Sequence, residues 1–272
     1  MTVPDTEQAR ALPVVILVTD SHVDLARTIE IVQAAATALG PRRLLVQLRD
    51  KENGPVVIRA AAQALRDVTR AVDALFVVNG ATSIADDVGA DGVHLPWDRG
   101  GALASRIASA RRLLGEHIIV TAAVHDDEEV RAAVDGGVTG LLVSPIFMTP
   151  GKGAARGVEA LTAACAIANA AQSKFGPRVY ALGGVDATNA SSCKEAGADG
   201  VAVVRALYDA AHAAHAAHAA HAAHDGAAAM AHALAAPFGR PSGGPPSGGP
   251  PSGGPPSGGP LRRGSGPGSS RP

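Results

Sequence analysis

The sequence predicts an α/β fold, a (β/α)8 or TIM barrel with a low-complexity C-terminal extension, and three observations carry that expectation. Eight short, near-continuously apolar runs alternate with Ala-rich amphipathic stretches across residues 14–210. Such runs suit parallel strands buried on both faces. No glycine-rich turn follows the first run, where Thr19-Asp20-Ser21-His22 stands, so a doubly wound sheet would lack its phosphate turn. The glycine pair Gly183-Gly184 instead follows the seventh run, where barrels build phosphate sites.

Taken in order, the strand expectations are 14–20, 44–50, 75–80, 92–96, 118–124, 140–146, 178–184 and 200–206. Between them the 3.6-residue apolar period predicts helices over 24–39, 55–70, 82–88, 101–114, 126–135, 158–172 and 187–195, with an eighth after Leu207. Pro55 suits a first helical turn, and Asp126 and Asp186 suit caps. Residues 1–13 read as an N-terminal arm. Beyond 210, His212, His215, His218, His221 and His224 recur in Ala-Ala-His steps over a helical extension, 211–236. Steps of three advance about 300° around a helix, so these imidazoles do not line one face. Residues 237–272 hold 12 of the 32 glycines and 11 of the 19 prolines, and predict a disordered tail.

Composition narrows the function classes. The tail carries four arginines and no acid, so a net charge of −1 leaves the body at −5. That excludes a broad basic nucleic-acid surface. No apolar run reaches membrane-spanning length, so no membrane partner is expected. Two cysteines without a CxxC pattern, and a polar start, predict a cytoplasmic protein. Homo-oligomerisation through outer helix faces stays open.

Function is expected at the strand C-terminal ends. Alternation places Gln47, Arg49 and Lys51 on one face of the second strand end, equipment for a phosphate or diphosphate, or else a solvated end with Arg49 paired to an acid. Asn79 closes the third strand, suited to a heterocycle edge or to its turn. His94 has inward parity on the fourth strand and reads as a core residue. His125 tops the fifth strand as an acid–base candidate. The sixth strand enters a Gly/Pro-rich loop carrying Thr149 and Lys152, expected to cover an anion.

Six segments in this order form a pattern: QLRDK (47–51), GADGVHL (89–95), Val124-His125, SPIFMTPGK (144–152), ALGGVDATN (181–189) and AGADGVAVV (196–204). The chain thereby resembles the superfamily of thiamine phosphate synthase and thiazole tautomerase. The resemblance implies that Gln47, Arg49, Lys51, Asn79 and Lys152 bind a pyrimidine diphosphate. It implies that Thr149, Gly184, Val204 and Arg205 hold a thiazole phosphate, with Lys152 and His125 catalytic and Mg²⁺ as cofactor. The chain departs from the synthase pattern at the Mg²⁺ carboxylates. Gly80 follows Asn79, and Arg99 falls on the second acidic position, leaving Asp98 as the candidate ligand, with Asp86 or Asp87 as remoter alternatives. Ala123 and Arg205 stand where that pattern has serines. Three functions remain open: the synthase, a metal-free tautomerase using His125, and a non-catalytic phosphate sensor.

Overall fold

A computed structural model describes residues 13–98, 103–151, 153–171, 176–216 and 222–239. The expected N-terminal arm (except Pro13), the tail expected to be disordered from Arg240 on, Lys152, Arg99, His218 and His221 lie outside the described residues.

Eight parallel strands form a closed barrel in sequence order: β1 Val15–Val18, β2 Leu44–Leu48, β3 Leu75–Asn79, β4 Gly92–Leu95, β5 Ile119–Val124, β6 Gly140–Val143, β7 Arg178–Leu182 and β8 Gly200–Val203. The last pairs with the first, Ile16 lying beside Ala202. Helices follow the strands: α1 Leu25–Leu39, α2 Pro55–Ala71, α3 Thr82–Asp87, α4 Leu103–Leu114, α5 Asp127–Asp135, α6 Gly157–Ala170, α7 Ala190–Glu195 and α8 Arg205–Ala216. A further helix, α9 Ala222–Ala235, ends in the 3-10 turn Ala236–Phe238. All eight expected strands are present, each ending one to three residues short of its expected end, except the fifth, which ends at Val124 as expected. No helix among the described residues is long and apolar enough to cross a membrane.

Strand alternation builds two cores. Inside the barrel, Ile16, Val18, Leu45, Leu75, Val77, Leu142, Tyr180 and Ala202 pack together. The opposite faces meet the helices, through residues such as Leu17, Phe76, Val93 and Leu141. Tyr180 fills the lower lumen, and its hydroxyl donates to the Pro13 carbonyl at 2.8 Å. Burial pushes the thiols of Cys165 and Cys193 up to about 11, so both act as small apolar groups.

The floor is held by a recurring device. Asp91 accepts the Phe76 N–H of β3 at 2.8 Å, Thr139 accepts the Val120 N–H of β5 at 2.9 Å, and Asp199 accepts the Val179 N–H of β7 at 2.9 Å. Each acceptor immediately precedes the glycine that opens the next strand. At Gly92 a Cβ would overlap the Ile119 carbonyl, so only glycine allows that approach. Arg66 grips Asp91 through two hydrogen bonds, of 2.8 and 3.1 Å.

Two expectations change. Asp126 does cap α5, accepting the Glu129 N–H at 2.8 Å. Asp186 caps no helix. Its carboxylate takes the Thr188 N–H and hydroxyl within a turn, and α7 starts at Ala190. The expected barrel boundary at 210 also moves. Helix α9 packs on α1 and α8 and touches β1 and β8, burying Ala227, Ala231, Leu234 and Ala235. Part of the stretch read as an extension therefore covers the barrel wall, within a compact unit ending at Gly239.

A chain ending at Ala216 should lose on the order of 4 kcal/mol of apolar burial and its cooperative thermal transition. Unchanged melting would show that α9 is dispensable. Arg66→Ala, which strands a partly buried Asp91, should cost about 3 kcal/mol in urea denaturation.

Candidate active site

The C-terminal ends of the strands surround one cavity of about 730 Å³. On its β2–β3 side lie Gln47, Arg49, Lys51 and Asn79. Gln47 is 2% exposed, and its Oε1, like the Asn79 Oδ1, is buried with no hydrogen-bond partner. An unpaired buried amide oxygen costs roughly 1–3 kcal/mol, which a bound donor would recover. Thr19, at the end of β1, sets the height of this side: its hydroxyl accepts the Arg49 N–H at 2.9 Å.

His94 stands beside Asn79 in register and beside Thr121, whose hydroxyl lies 2.9 Å from its Nδ1. Burial, then the nearby Arg106 and Arg49 cations, lowers its pKa to about 3. The ring is therefore neutral at physiological pH.

His125 tops β5. Its Nδ1 lies 2.8 Å from the Ser144 carbonyl, which can only accept, so Nδ1 carries a proton and donates it. In the neutral ring Nε2 is then the lone-pair acceptor. Glu129 accepts the His125 backbone N–H at 2.6 Å and also the indole N–H of Trp97. The Trp97 and His125 rings meet near edge-to-face, with centroids 5.6 Å apart and planes at 63°.

The loop after β6 docks on the end of β7. Ile146 and Phe147 donate backbone N–H groups to Leu182 and Gly183 at 2.9 Å. Gly183 and Gly184 both have positive φ, and a Cβ on Gly184 would lie 2.6 Å from the Met148 carbonyl. This seats Thr149 on the cavity wall beside Gly184. On the neighbouring strand end, Val204, Arg205 and Ala206 present the N-terminus of α8, whose free N–H groups and dipole favour an anion. Helix α8 is anchored to α1 by the Tyr208–Thr28 hydroxyl pair at 3.3 Å and by Arg27 donating to the Ala211 carbonyl at 3.0 Å.

Residues 15–207 match the thiamine monophosphate synthase family. The chain belongs to that family. A thiamine-phosphate synthase of Chromobacterium violaceum is 38% identical over 207 residues, 76% of this chain and 87% of that protein. One from Gloeobacter violaceus is 37% identical over 70% of this chain and 51% of that protein. The chain thus spans about half the length of the Gloeobacter relative, and likewise of the Nostoc and Synechocystis relatives. Among solved structures, thiamine phosphate pyrophosphorylase from Pyrococcus furiosus superposes with a TM-score of 0.64 at 25% identity, covering 85% of this chain and 100% of that one.

Within this member of the thiamine monophosphate synthase family, the cavity gathers Gln47, Arg49, Lys51, Asn79, His125, Thr149, Gly184, Val204 and Arg205. Lys152 lies outside the described residues. Asp98, the expected metal ligand, is exposed on the strand-four exit, apart from the residues that line the cavity. The implied Mg²⁺ finds no matching donor set among the described residues. The carboxylates lining the cavity are Asp186, engaged by Thr188, and Asp209. No three His, Cys, Asp or Glu side chains stand together as a metal site among the described residues. Mg²⁺ demands near-octahedral oxygen ligands, and these residues do not fit it.

Sequence reasoning missed Thr19, Arg106, Trp97 and Glu129 as site-building residues. For Glu129 a signal existed, since a carboxylate four residues past a strand-top histidine can reach back to it.

His94 yields a pH prediction. Its folded pKa lies below the unfolded value near 6.5, so between about 6.5 and 3 the unfolded chain binds more protons and stability falls as pH drops. The slope should approach about 1.4 kcal/mol per pH unit for this group. Urea titrations of His94→Gln should show that component removed; a variant profile parallel to wild type would contradict a neutral buried His94.

Proposed function

We propose that the chain condenses a hydroxymethylpyrimidine diphosphate with a hydroxyethylthiazole phosphate to give thiamine phosphate and diphosphate. The observation that carries this reading is that one cavity joins a cationic strand end bearing orphaned amide oxygens to a helix N-terminus. The first suits an aminopyrimidine diphosphate, and the second a monophosphate.

In the reaction the bond between the pyrimidine methylene carbon and the diphosphate oxygen breaks. Its electron pair leaves with the diphosphate, and the thiazole nitrogen supplies the pair for the new C–N bond. Negative charge grows on the leaving group, where Arg49 and Lys51 stand and where Lys152 is placed by the resemblance. Gln47 and Asn79 can accept hydrogen bonds from the aminopyrimidine edge. Thr149, Gly184 and the α8 N-terminus at Val204 and Arg205 hold the thiazole phosphate. The neutral His94 adds no charge to the pyrimidine side.

One observation favours a second reading, a thiazole tautomerase. The donation from His125 Nδ1 to Ser144 leaves Nε2 able to take a proton from a heterocycle.

Purified protein given both phosphorylated substrates should form thiamine phosphate. Lys152→Ala and Arg49→Ala should each lower kcat by about 100-fold or more. Unchanged turnover in both would remove the diphosphate role. Isomerisation of the thiazole phosphate alone, abolished in His125→Ala and with no condensation in wild type, would replace the first reading by the second.

A further inference from the structure

We infer that Trp97 forms the aromatic wall against which the pyrimidine ring of the diphosphate substrate lies, and that Glu129 is its positioning residue. The inference rests on the condensation reading and extends it to a residue type that the family resemblance did not supply.

Trp97 lines the cavity, and its side chain stays 42% exposed. An indole of that size at a cavity mouth leaves apolar surface in water unless a ligand covers it. Its single polar atom is satisfied by Glu129 and its ring also meets His125, so what it can offer a ligand is ring surface.

The ring is held from two sides. Arg106 donates to the Pro96 carbonyl at 2.9 Å, steadying the exit of β4. Glu129 reaches from α5 and takes the Trp97 indole N–H and the His125 backbone N–H with its two oxygens. Its own N–H is bound to Asp126 at 2.8 Å. A carboxylate tied down by a helix cap therefore sets where the indole stands.

Strand order selects the ligand. Trp97 follows β4 three residues beyond His94, which pairs in register with Asn79 on β3. Its ring meets His125 at the end of β5, and from there the cavity wall runs through Asn79 on β3 to Gln47 and Arg49 on β2. Thr149, Gly184 and the α8 N-terminus come from the β6–β8 side. The chemistry agrees: the pyrimidine is planar, and its methylene carbon gains positive charge as diphosphate leaves. Indole is the strongest cation–π partner among the side chains.

The chain contains one tryptophan, so its emission reports on this position alone. In the full-length protein, the pyrimidine diphosphate should change that emission saturably, and the thiazole phosphate alone should not. Trp97→Leu should raise the KM for the pyrimidine diphosphate about tenfold or more. It should leave the KM for the thiazole phosphate within about twofold, and Trp97→Phe should recover most of the loss. Glu129→Gln should shift the emission maximum and show an intermediate KM, with the circular dichroism spectrum retained. Emission unmoved by the pyrimidine diphosphate, emission moved by the thiazole phosphate instead, or an unchanged KM in Trp97→Leu would each overturn the inference. A saturable emission response without any thiamine phosphate would overturn the condensation reading and leave the aromatic wall standing.

Discussion

Three backbone N–H groups at the barrel floor, on Phe76, Val120 and Val179, set the register on which the rest of the structure depends. Each is taken by the side chain just ahead of the following strand: Asp91, Thr139 and Asp199. A parallel barrel closes only if the stagger of its strands is consistent all the way round. A one-residue slip would send every inward side chain outward. The floor bonds tie β3 to β4, β5 to β6 and β7 to β8, and the glycines opening the even strands bring the backbones together there. Gln47, Asn79, His94 and His125 converge at the opposite end because the register below leaves them no other direction.

That convergence stores free energy that a ligand can release. The barrel mouth holds cations at Arg49 and Lys51, a histidine kept neutral by burial, and two amide oxygens without partners. An apolar core would avoid such groups, because each unpaired oxygen destabilises the empty state. The proposed substrate, a phosphorylated heterocycle, would match the set, with its phosphates on the cations and its ring donors on the oxygens. The same mouth is poor in carboxylates. Cationic side chains can neutralise a departing diphosphate as a metal would, but with geometry set by rotamers instead of coordination.

How much of this the sequence revealed follows from the reach of each physical signal. Strands buried on both faces must be apolar along their length, so all eight were legible as runs, and period-two alternation alone placed Gln47, Arg49 and His94 inward. The resemblance then assigned Thr149 and the end of β8 to a thiazole phosphate. Helix α9 was hidden because its buried face is mostly alanine, Ala227 and Ala231 beside one Leu234, embedded in a repeat with the same composition. Alternation also could not place Asp98, which lies past the last strand residue, where the chain leaves the pleat. Trp97 and Glu129 escaped for a related reason. Their partnership joins two different strand-to-helix connections, and no spacing along one element encodes it.

The glycine pair has a structural task that a phosphate reading leaves out. Gly183-Gly184 was expected to let a phosphate approach the backbone. The structure gives it a prior task, since a side chain on Gly184 would strike the Met148 carbonyl and lift the loop that carries Thr149. Those glycines would be required in a barrel that bound no phosphate, so they cannot by themselves argue for one. The anion reading rests instead on the N-terminus of α8, and that depends on how α8 is held. Tyr208 and Arg27 fasten it to α1, and α9 packs on both helices. The alanine- and histidine-rich end of the chain therefore bears on the site mechanically: it braces the helix whose N-terminus faces the cavity, without any imidazole having to enter it.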